Sequence, residues 1–211
     1  VLLLGPVLTT TTLSDYFLDP GTWRYLYRNI TVLPFTGYHV LAGLFETNPY
    51  PGIVNGSLWT LPAELASYIG VALLWLACSK LFKKPLKAMT ILAVTLSIAL
   101  LTCLYLSKVG MLPPKNAYRL YFYFFAGASF FLLADRIRLN HVTAFCTGSA
   151  LLAISAFADG FHYAYPPLMI YLTLYLAYVP GGVLRKFNLI GDYSYGTYIY
   201  AFPVQQSLVY L

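Results

Sequence analysis

The sequence predicts an all-α, polytopic integral membrane helix bundle, and its composition and the pattern of its apolar runs support this prediction. Of the 211 residues, 59% are hydrophobic and only 9% are charged, whereas a soluble domain carries about 25% charged residues. So few charges cannot cover a water-facing surface, and the mean hydropathy is +0.68. The apolar runs are separated by short polar or basic gaps, which predicts about six spans plus the end of another.

The elements follow from these runs in chain order. Residues 1–10 are predicted to be the last turns of a helix, and 11–58 to be a long polar and aromatic loop with a short interfacial helix at Trp23–Arg28. A turn is expected at Asp159–Pro167. The spans are expected at residues 61–79, 88–107, 118–134, 142–157, 168–179 and from 193 onward.

The basic residues indicate how the spans are oriented. Most of them fall in gaps on one side of the predicted bundle: Lys80, Lys83, Lys84, Lys87, Arg136, Arg138, Arg185 and Lys186. The positive-inside rule places this side in the cytoplasm and makes 11–58 an outward-facing loop. Topology therefore explains the net charge of +6, and no nucleic-acid partner is predicted. The lipid bilayer is the predicted partner.

Neither the cysteines nor the histidines have the spacing of a metal site. Cys78, Cys103 and Cys146 each lie in an apolar run and are interpreted as small buried hydrophobic residues. The histidines are interpreted as interfacial or structural, and they are His39, His141 and His162.

A polar loop that becomes a long apolar helix is the most distinctive stretch, at Asn55–Tyr68. Pro62 suits a first helical turn, and Thr60 before it is a candidate N-cap. Glu64 falls where the helix macrodipole favours a negative charge. On a helix, Leu61, Glu64 and Tyr68 share one face.

This stretch resembles the signature of a known family. Its pattern is Ser57-x-Trp59-x-Leu61-x-x-Glu64-x-x-x-Tyr68, which is similar to that of the acyltransferase-3 family of bacterial-type integral membrane O-acyltransferases. Residues 121–136 resemble the family's aromatic, glycine-containing helix, and residues 191–203 resemble its late Ser-Tyr-Gly-x-Tyr segment. Many members have His where this chain has Ala201.

The resemblance implies an activity, partners and a location. The expected reaction transfers an acetyl or other short acyl group from acyl-CoA, with no bound cofactor, to a hydroxyl of a cell-surface glycan, lipopolysaccharide or lipid-linked saccharide. The expected location is the bacterial inner membrane. Residues 1–211 would form one partial transmembrane acyltransferase domain, without the family's first spans, its catalytic His and its last span. The isolated chain is then expected to be inactive.

The resemblance also implies roles for the residues of the motif, each with a structural alternative. Glu64 is the predicted catalytic carboxylate, which orients a His base or binds substrate; otherwise it only stabilises the helix start. Ser57 binds substrate or caps the helix, and Trp59 stacks on the sugar or acyl group or anchors at the interface. Tyr68 binds substrate or only satisfies Glu64. Tyr195, in the late segment, is a further predicted substrate-binding residue.

Other basic residues are open to two interpretations. Arg24 and Arg28 either bind an anionic substrate or are solvated on an interfacial helix. Lys83, Lys84, Arg136 and Arg138 either contact CoA phosphates or serve as positive-inside anchors.

Two other functions remain open at this point, a transporter or flippase of a lipid-linked glycan and a non-catalytic membrane subunit. An enzyme predicts a His-bearing helix upstream of the chain. A transporter would more often show internal repeats and charges within the spans, and neither pattern is found in the sequence.

Overall fold

The protein consists of helices joined by loops. The structure is a computed structural model that describes residues 1–32, 40–113, 115–182, 186, 191 and 193–211. At residues 158–160 only the backbone is described. In the described part of the chain no β-strand is present, and Val40 and Ile53 form an isolated bridge. The helices are α1 (Leu4–Leu8), α2 (Leu13–Leu18), α3 (Pro20–Thr31), a 3-10 turn (Gly56–Thr60), α4 (Leu61–Leu81), α5 (Pro85–Lys108), α6 (Asn116–Leu132), α7 (His141–Ser155), α8 (Ala158–Tyr178) and α9 (Ser194–Tyr210).

The all-α prediction is confirmed, and each of the six predicted spans is helical over most of its length. Two helical stretches among the described residues are long and apolar enough to cross a membrane, Gly56–Leu81 and Pro85–Lys108. A shorter apolar helix is His141–Ser155. The chain divides into two compact units, the first formed by Val1–Ile69 with Asp192–Leu211 and the second by Gly70–Gly191.

The segment predicted as a loop at 11–58 contains two helices, so that prediction is wrong in part. Thr12 caps α2 by accepting a hydrogen bond from the Asp15 amide, and Asp19 caps α3 by accepting one from Gly21. Pro20 occupies the first turn of α3, where its missing N–H costs nothing. The predicted helix at Trp23–Arg28 is thus confirmed, and these caps extend it to Pro20–Thr31.

The first unit has its own apolar core around α2, α3 and the following loop. Tyr16, Leu44 and Phe45 are fully buried there, and Tyr25 is 5% exposed. The Thr22 hydroxyl in α3 donates to the Tyr16 carbonyl in α2 at 2.7 Å, which fixes the two helices together. Burial raises the pKa of Tyr25 to about 12, with a smaller contribution from neighbouring Tyr16.

Small residues bring α5 and α6 into close contact in the second unit. Ala93 and Ser97 on α5 are buried, as are Ala126 and Ser129 on α6. The Ser97 and Ser129 hydroxyls lie 3.2 Å apart, and each also lies within hydrogen-bond distance of a carbonyl one turn earlier in its own helix, so one hydroxyl can donate to the other while that other donates to its carbonyl. Small side chains with paired hydroxyls are typical of contacts between membrane helices, because they let the backbones approach.

The predicted turn at Asp159–Pro167 is helical, since α8 begins at Ala158. Pro166 and Pro167 have no N–H, so the carbonyls four residues earlier lose their intrahelical donors. The end of α5 replaces both donors. Lys108 Nζ donates to the His162 carbonyl at 2.8 Å, and the Tyr105 hydroxyl donates to the Tyr163 carbonyl at 2.6 Å.

The cysteines and histidines have mixed outcomes. Cys78 is buried as predicted, but Cys146 is exposed on α7, so its predicted burial is wrong. Asn140 caps α7 by accepting a hydrogen bond from the Thr143 amide at 2.8 Å. His141 follows it at the helix start, with its ring bonded to the Tyr175 hydroxyl, which fits the structural interpretation. His39 lies outside the described residues.

Candidate active site

The helix that carries Glu64 is entered through the 3-10 turn Gly56–Thr60, and Asn55 caps this turn. The Asn55 Oδ1 atom accepts from the Ser57 amide at 3.0 Å. The predicted capping role of Thr60 is therefore wrong, because helical backbone begins four residues before it. Glu64 does lie in the first turn of α4, as predicted.

The other end of the Asn55 side chain attaches this turn to α9. Its Nδ2 donates to the Ile199 carbonyl at 3.0 Å. Ile199 needs this donor because Pro203, four residues later in α9, has no N–H to give. Asn55 is only 6% exposed, and both ends of its amide are bonded.

Close packing also brings the turn against α9. A Cβ placed on Gly56 would lie 2.8 Å from the ring of Phe202, so only glycine allows this approach. One turn further along α9, the Gln206 amide donates to the carbonyls of Tyr50 and Ile53 at 2.8 and 2.7 Å. The Asn48 amide donates to the Gln206 side chain at 3.0 Å. These contacts fix α9 against the loop that leads into the motif.

Two hydroxyl groups connect the motif to α9 and to Glu64. The Tyr198 hydroxyl lies 2.9 Å from the Ser57 carbonyl and 2.6 Å from Thr60 Oγ1. Thr60 Oγ1 in turn lies 3.3 Å from Glu64 Oε1. Thr60 is buried and Glu64 is exposed. We call Ser57, Thr60, Glu64 and Tyr198 the hydroxyl–carboxylate cluster.

A count of hydrogens gives this cluster two arrangements, because each hydroxyl carries one hydrogen. If Tyr198 donates to the Ser57 carbonyl, Thr60 donates to Tyr198 and the Glu64 carboxylate receives neither hydrogen. If Tyr198 donates to Thr60, Thr60 is free to donate to Glu64. The exposed carboxylate is thus either held by Thr60 or left to accept from another group.

The structure places all of the predicted site residues in the first unit, and it links two of them, Ser57 and Glu64. Ser57 and Glu64 meet through Thr60, while Trp59 lies in the 3-10 turn with 40% of its surface exposed. Tyr68 lies one turn after Glu64 on α4, with an exposed ring. Tyr195 is exposed on α9, one turn before the tyrosine that contacts the motif. Their roles toward substrate stay predictions.

Three members of the site were not predicted as site residues from the sequence: Thr60, Tyr198 and Asn55. A sequence signal did exist for Tyr198, since it lies in the same late segment as Tyr195. Asn55 precedes Gly-Ser and would draw notice only as a glycosylation sequon, which its burial contradicts. The described residues contain no group of three His, Cys, Asp or Glu side chains suited to hold a metal ion.

Comparison with known proteins agrees with the motifs. A family model described as an acyltransferase domain (Acyl_transf_3) matches residues 3–211. A relative named "O-acetyl transferase" from Shigella phage Sf6 is 35% identical over 165 residues, which cover 74% of this chain and 46% of the relative. The chain therefore spans about half the length of this relative. No solved structure matches the chain.

Proposed function

Because this chain belongs to the acyltransferase-3 family, as the match over residues 3–211 shows, we propose that the protein is a membrane O-acyltransferase that acts on a surface glycan. The donor would be acyl-CoA, and the name of the phage relative favours acetyl as the transferred group. The acceptor would be a hydroxyl of lipopolysaccharide or of a lipid-linked saccharide, modified at the bacterial inner membrane.

The proposed reaction needs a base and a site for a neutral sugar. The sugar oxygen attacks the thioester carbonyl, its proton passes to the base, and the carbon–sulfur bond breaks to release the CoA thiolate, which takes up a proton. A sugar hydroxyl is weakly acidic, and His is the usual base near neutral pH. The proposed reaction therefore uses a His base, which is the base that the family resemblance implies.

The observation that supports a role for Glu64 is its place at the exposed end of the hydroxyl–carboxylate cluster. The Thr60 hydroxyl lies 3.3 Å from one carboxylate oxygen, and carboxylates have about four lone-pair sites. Among the described residues no other group is bonded to this carboxylate, so its remaining sites can orient a protonated base or accept from a sugar hydroxyl. We assign Glu64 this role, since such a carboxylate also stabilises the cation that forms when His takes a proton.

The neighbouring aromatic side chains complete the proposed acceptor site. Trp59 presents an exposed indole face one turn before Glu64, and Tyr68 and Tyr195 present exposed rings with hydroxyls. Ser57 supplies a further hydroxyl at the start of the motif. Aromatic faces bury the apolar face of a sugar, while hydroxyls select its orientation.

The test of this proposal is Glu64→Gln in the natural protein, expressed in host cells that lack their own copy. The change keeps the shape and a hydrogen-bond acceptor for Thr60 but removes the charge. We expect O-acetyl groups on the isolated glycan to fall about 100-fold or more, the usual range for a lost acid–base partner. Wild-type acetylation in this variant would remove Glu64 from the mechanism.

Glu46→Gln is the matched control, because Glu46 is a second carboxylate of the first unit that accepts from a backbone amide, that of Gly43, at 3.1 Å. The amide of Gln can still accept this bond, so acetylation should stay within about twofold of wild type. Equal losses in both variants, with equal amounts of protein in the membrane, would assign the effect to folding and not to chemistry.

A further inference from the structure

Three adjoining cavities lie along the facing sides of α6 and α8 in the second unit. The first, of about 450 Å³, lies where α5 ends and α6 and α8 begin, and Lys108, Lys115 and Arg119 line it. The second, of about 430 Å³, shares Arg119 and Tyr165 with the first. The third, of about 390 Å³, shares Gly127 and Leu174 with the second. We call the three together the α6–α8 groove.

The groove follows one face of α6. Its lining residues on this helix lie at positions 116, 119, 123, 127, 130 and 131, a spacing of three and four that puts them on one side. At 1.5 Å per residue, Arg119 and Phe131 are about 18 Å apart along the helix. This length is about that of one leaflet of a hydrocarbon core of about 30 Å.

One end of the groove is cationic. Among the described residues, those that line the first cavity include three basic side chains and His162 but no carboxylate. Lys108 gives one hydrogen to the His162 carbonyl at 2.8 Å, so its ammonium group keeps two more. Lys108 also ends the stretch Pro85–Lys108, which is long and apolar enough to cross a membrane, so we infer that this end lies at the depth of lipid headgroups. Lys and Arg at such a position bind a phosphate.

A tyrosine hydroxyl that has no partner among the described residues lies one helical turn further into the groove. Tyr123, four residues after Arg119, lines the second cavity. Its hydroxyl oxygen is buried, and it has no hydrogen-bond partner within the described chain. Buried hydroxyls nearly always have a partner, so a small rotation of the Tyr123 side chain toward the cavity that it lines would let the hydroxyl donate to a ligand acceptor just below an anion at Arg119.

The rest of the groove is apolar. The third cavity is lined mostly by hydrocarbon and aromatic side chains, among them Phe130, Phe131, Ile137 and Leu139. A ligand that fits all three parts has an anionic head, an uncharged oxygen acceptor about one turn below it, and then a hydrocarbon chain. A phosphoglyceride has this order, because its ester carbonyls lie directly below its phosphate. A polyprenyl phosphate has only hydrocarbon at that depth.

We propose that the α6–α8 groove binds an anionic phosphoglyceride of the bilayer. Lys115 and Arg119 hold its phosphate, Tyr123 donates to an ester carbonyl, and an acyl chain lies beside Gly127, Phe130 and Leu174. This proposal does not depend on the acyl-transfer reaction, and lipid binding is measured without it.

The test measures lipid retention by the natural protein. The protein is purified in detergent, depleted of lipid, and titrated with phosphatidylglycerol or phosphatidylcholine while native mass spectrometry counts bound lipids. We expect phosphatidylglycerol to bind about tenfold or more tightly than the zwitterionic lipid. Lys115→Gln with Arg119→Gln should remove this preference. Tyr123→Phe should weaken binding of both lipids about three- to tenfold, the effect of one lost hydrogen bond.

Two substitutions serve as controls. Tyr121→Phe removes a hydroxyl from the same helix, and Lys87→Gln removes a cation from the first turns of α5, yet neither residue is among the described lining of the groove. Both controls should retain lipid as the wild type does. The conservative Tyr123→Phe change keeps the ring and the packing, so its result stands even if the double variant folds poorly.

Three outcomes would overturn the proposal. Equal retention of both lipids would show that the cationic end does not select a headgroup with a net negative charge. Displacement of phosphatidylglycerol by coenzyme A would assign the basic residues to the acyl donor. Tighter binding of a polyprenyl phosphate, unaffected by Tyr123→Phe, would assign the groove to a different lipid class.

Discussion

Tyr198 is the residue through which α9 contacts both the motif backbone and the path to Glu64. Its hydroxyl lies 2.9 Å from the Ser57 carbonyl and 2.6 Å from Thr60 Oγ1. Because Thr60 has one hydrogen to give, the direction of the Tyr198 hydrogen decides whether Thr60 can donate to Glu64. A residue that does not itself contact the carboxylate thus controls one of its hydrogen bonds.

Tyr198→Phe should separate this positioning role from a general loss of stability. We expect transfer by the natural protein to fall about tenfold, since Thr60 loses one partner and the Ser57 carbonyl loses its donor. The pH dependence of transfer should shift as well, because the environment of the Glu64 carboxylate changes. Measured rates at several pH values, per amount of folded protein, would test this.

Tyr195→Phe is the matched comparison, because it removes a tyrosine hydroxyl one turn earlier on the same helix, α9. If Tyr195 only binds substrate, its loss should raise KM and leave the pH profile unchanged. An unchanged profile in Tyr198→Phe would contradict the positioning role of Tyr198.

Tyr25 predicts an alkaline limit to the stability of the first unit. Burial raises the pKa of Tyr25 to about 12, above the value near 10 in an unfolded chain. The stability that this residue contributes is complete below pH 10 and is lost as the pH rises toward 12. Thermal unfolding in detergent should show the melting temperature falling over this range, and less steeply in Tyr25→Phe. Parallel curves for the two proteins would contradict the prediction.

The sequence was enough to predict site residues that lie within one short motif. It did not predict those whose role depends on a partner far away in the chain. Glu64, Ser57 and Trp59 stand out because one short motif contains them all. Thr60 meets Tyr198 across 138 positions of sequence, and no periodicity within the motif encodes that pairing. Asn55 is similar, since its partner Ile199 lies 144 positions away.

In two helices, prolines leave carbonyls without an intrahelical donor, and side chains from other parts of the chain donate to these carbonyls instead. In α9, Pro203 leaves the Ile199 carbonyl to Asn55. In α8, Pro166 and Pro167 leave two carbonyls to donors on α5. A turn was predicted at Asp159–Pro167, a segment that contains both prolines of α8, and it is helical instead. The donors that make the helix possible lie about 58 and 54 positions earlier, beyond any local pattern.

A double-mutant cycle tests this exchange in α9. Asn55→Ser keeps a capping oxygen for Ser57 but removes the amide that serves Ile199, and it should cost about 1–3 kcal/mol of stability, the penalty for an unpaired buried group. In a Pro203→Ala background, residue 203 supplies its own N–H to Ile199. The cost of Asn55→Ser should then fall to a few tenths of a kcal/mol, the difference between good capping residues.

The measurement is thermal or denaturant unfolding of the four proteins in one detergent. Ser207→Ala in α9 is a useful control, since its hydroxyl only donates to the Pro203 carbonyl of the same helix. Its effect should be the same in both Asn55 backgrounds. If Asn55→Ser costs the same with proline or alanine at 203, the Asn55 amide does not replace the missing N–H.

For the whole molecule, composition was enough to predict the class and the helical fold. Nine per cent charged residues and long apolar runs predicted membrane helices, and α4 and α5 have the required length and hydropathy. The division into two compact units was not predicted. It depends on which helices pack together, such as α5 with α6, and the small residues that decide this resemble any other apolar positions in sequence.

We predict that α4 crosses the membrane, with its two ends on opposite sides. Ser57 and Lys84 flank α4, whose 21 residues span about 30 Å as a helix, enough to cross the hydrocarbon core. Single cysteines at the two positions should react with a membrane-impermeant reagent from opposite sides. The lysine-rich side should be cytoplasmic.

This labelling requires a background without native cysteines, in particular without the exposed Cys146. Cysteine at Lys87, in the same basic segment, provides a second reporter for the cytoplasmic side. Reaction of residues 57 and 84 from the same side would show that α4 does not cross the membrane.

The bond between Asn55 and Ile199 also sets a time for the assembly of the first unit. The two residues are 144 positions apart, and at 5–20 residues per second a ribosome needs roughly 7 to 30 s to make the intervening chain. During this interval the Asn55 amide, which is buried in the finished protein, has only water or another temporary partner. Its final partner is itself an unpaired carbonyl in an apolar helix as that helix enters the bilayer, where such a group is costly. The bond between Asn55 and Ile199 therefore forms late in synthesis. The 3-10 turn that leads into the helix of Glu64 takes its final form only after the second unit has been made.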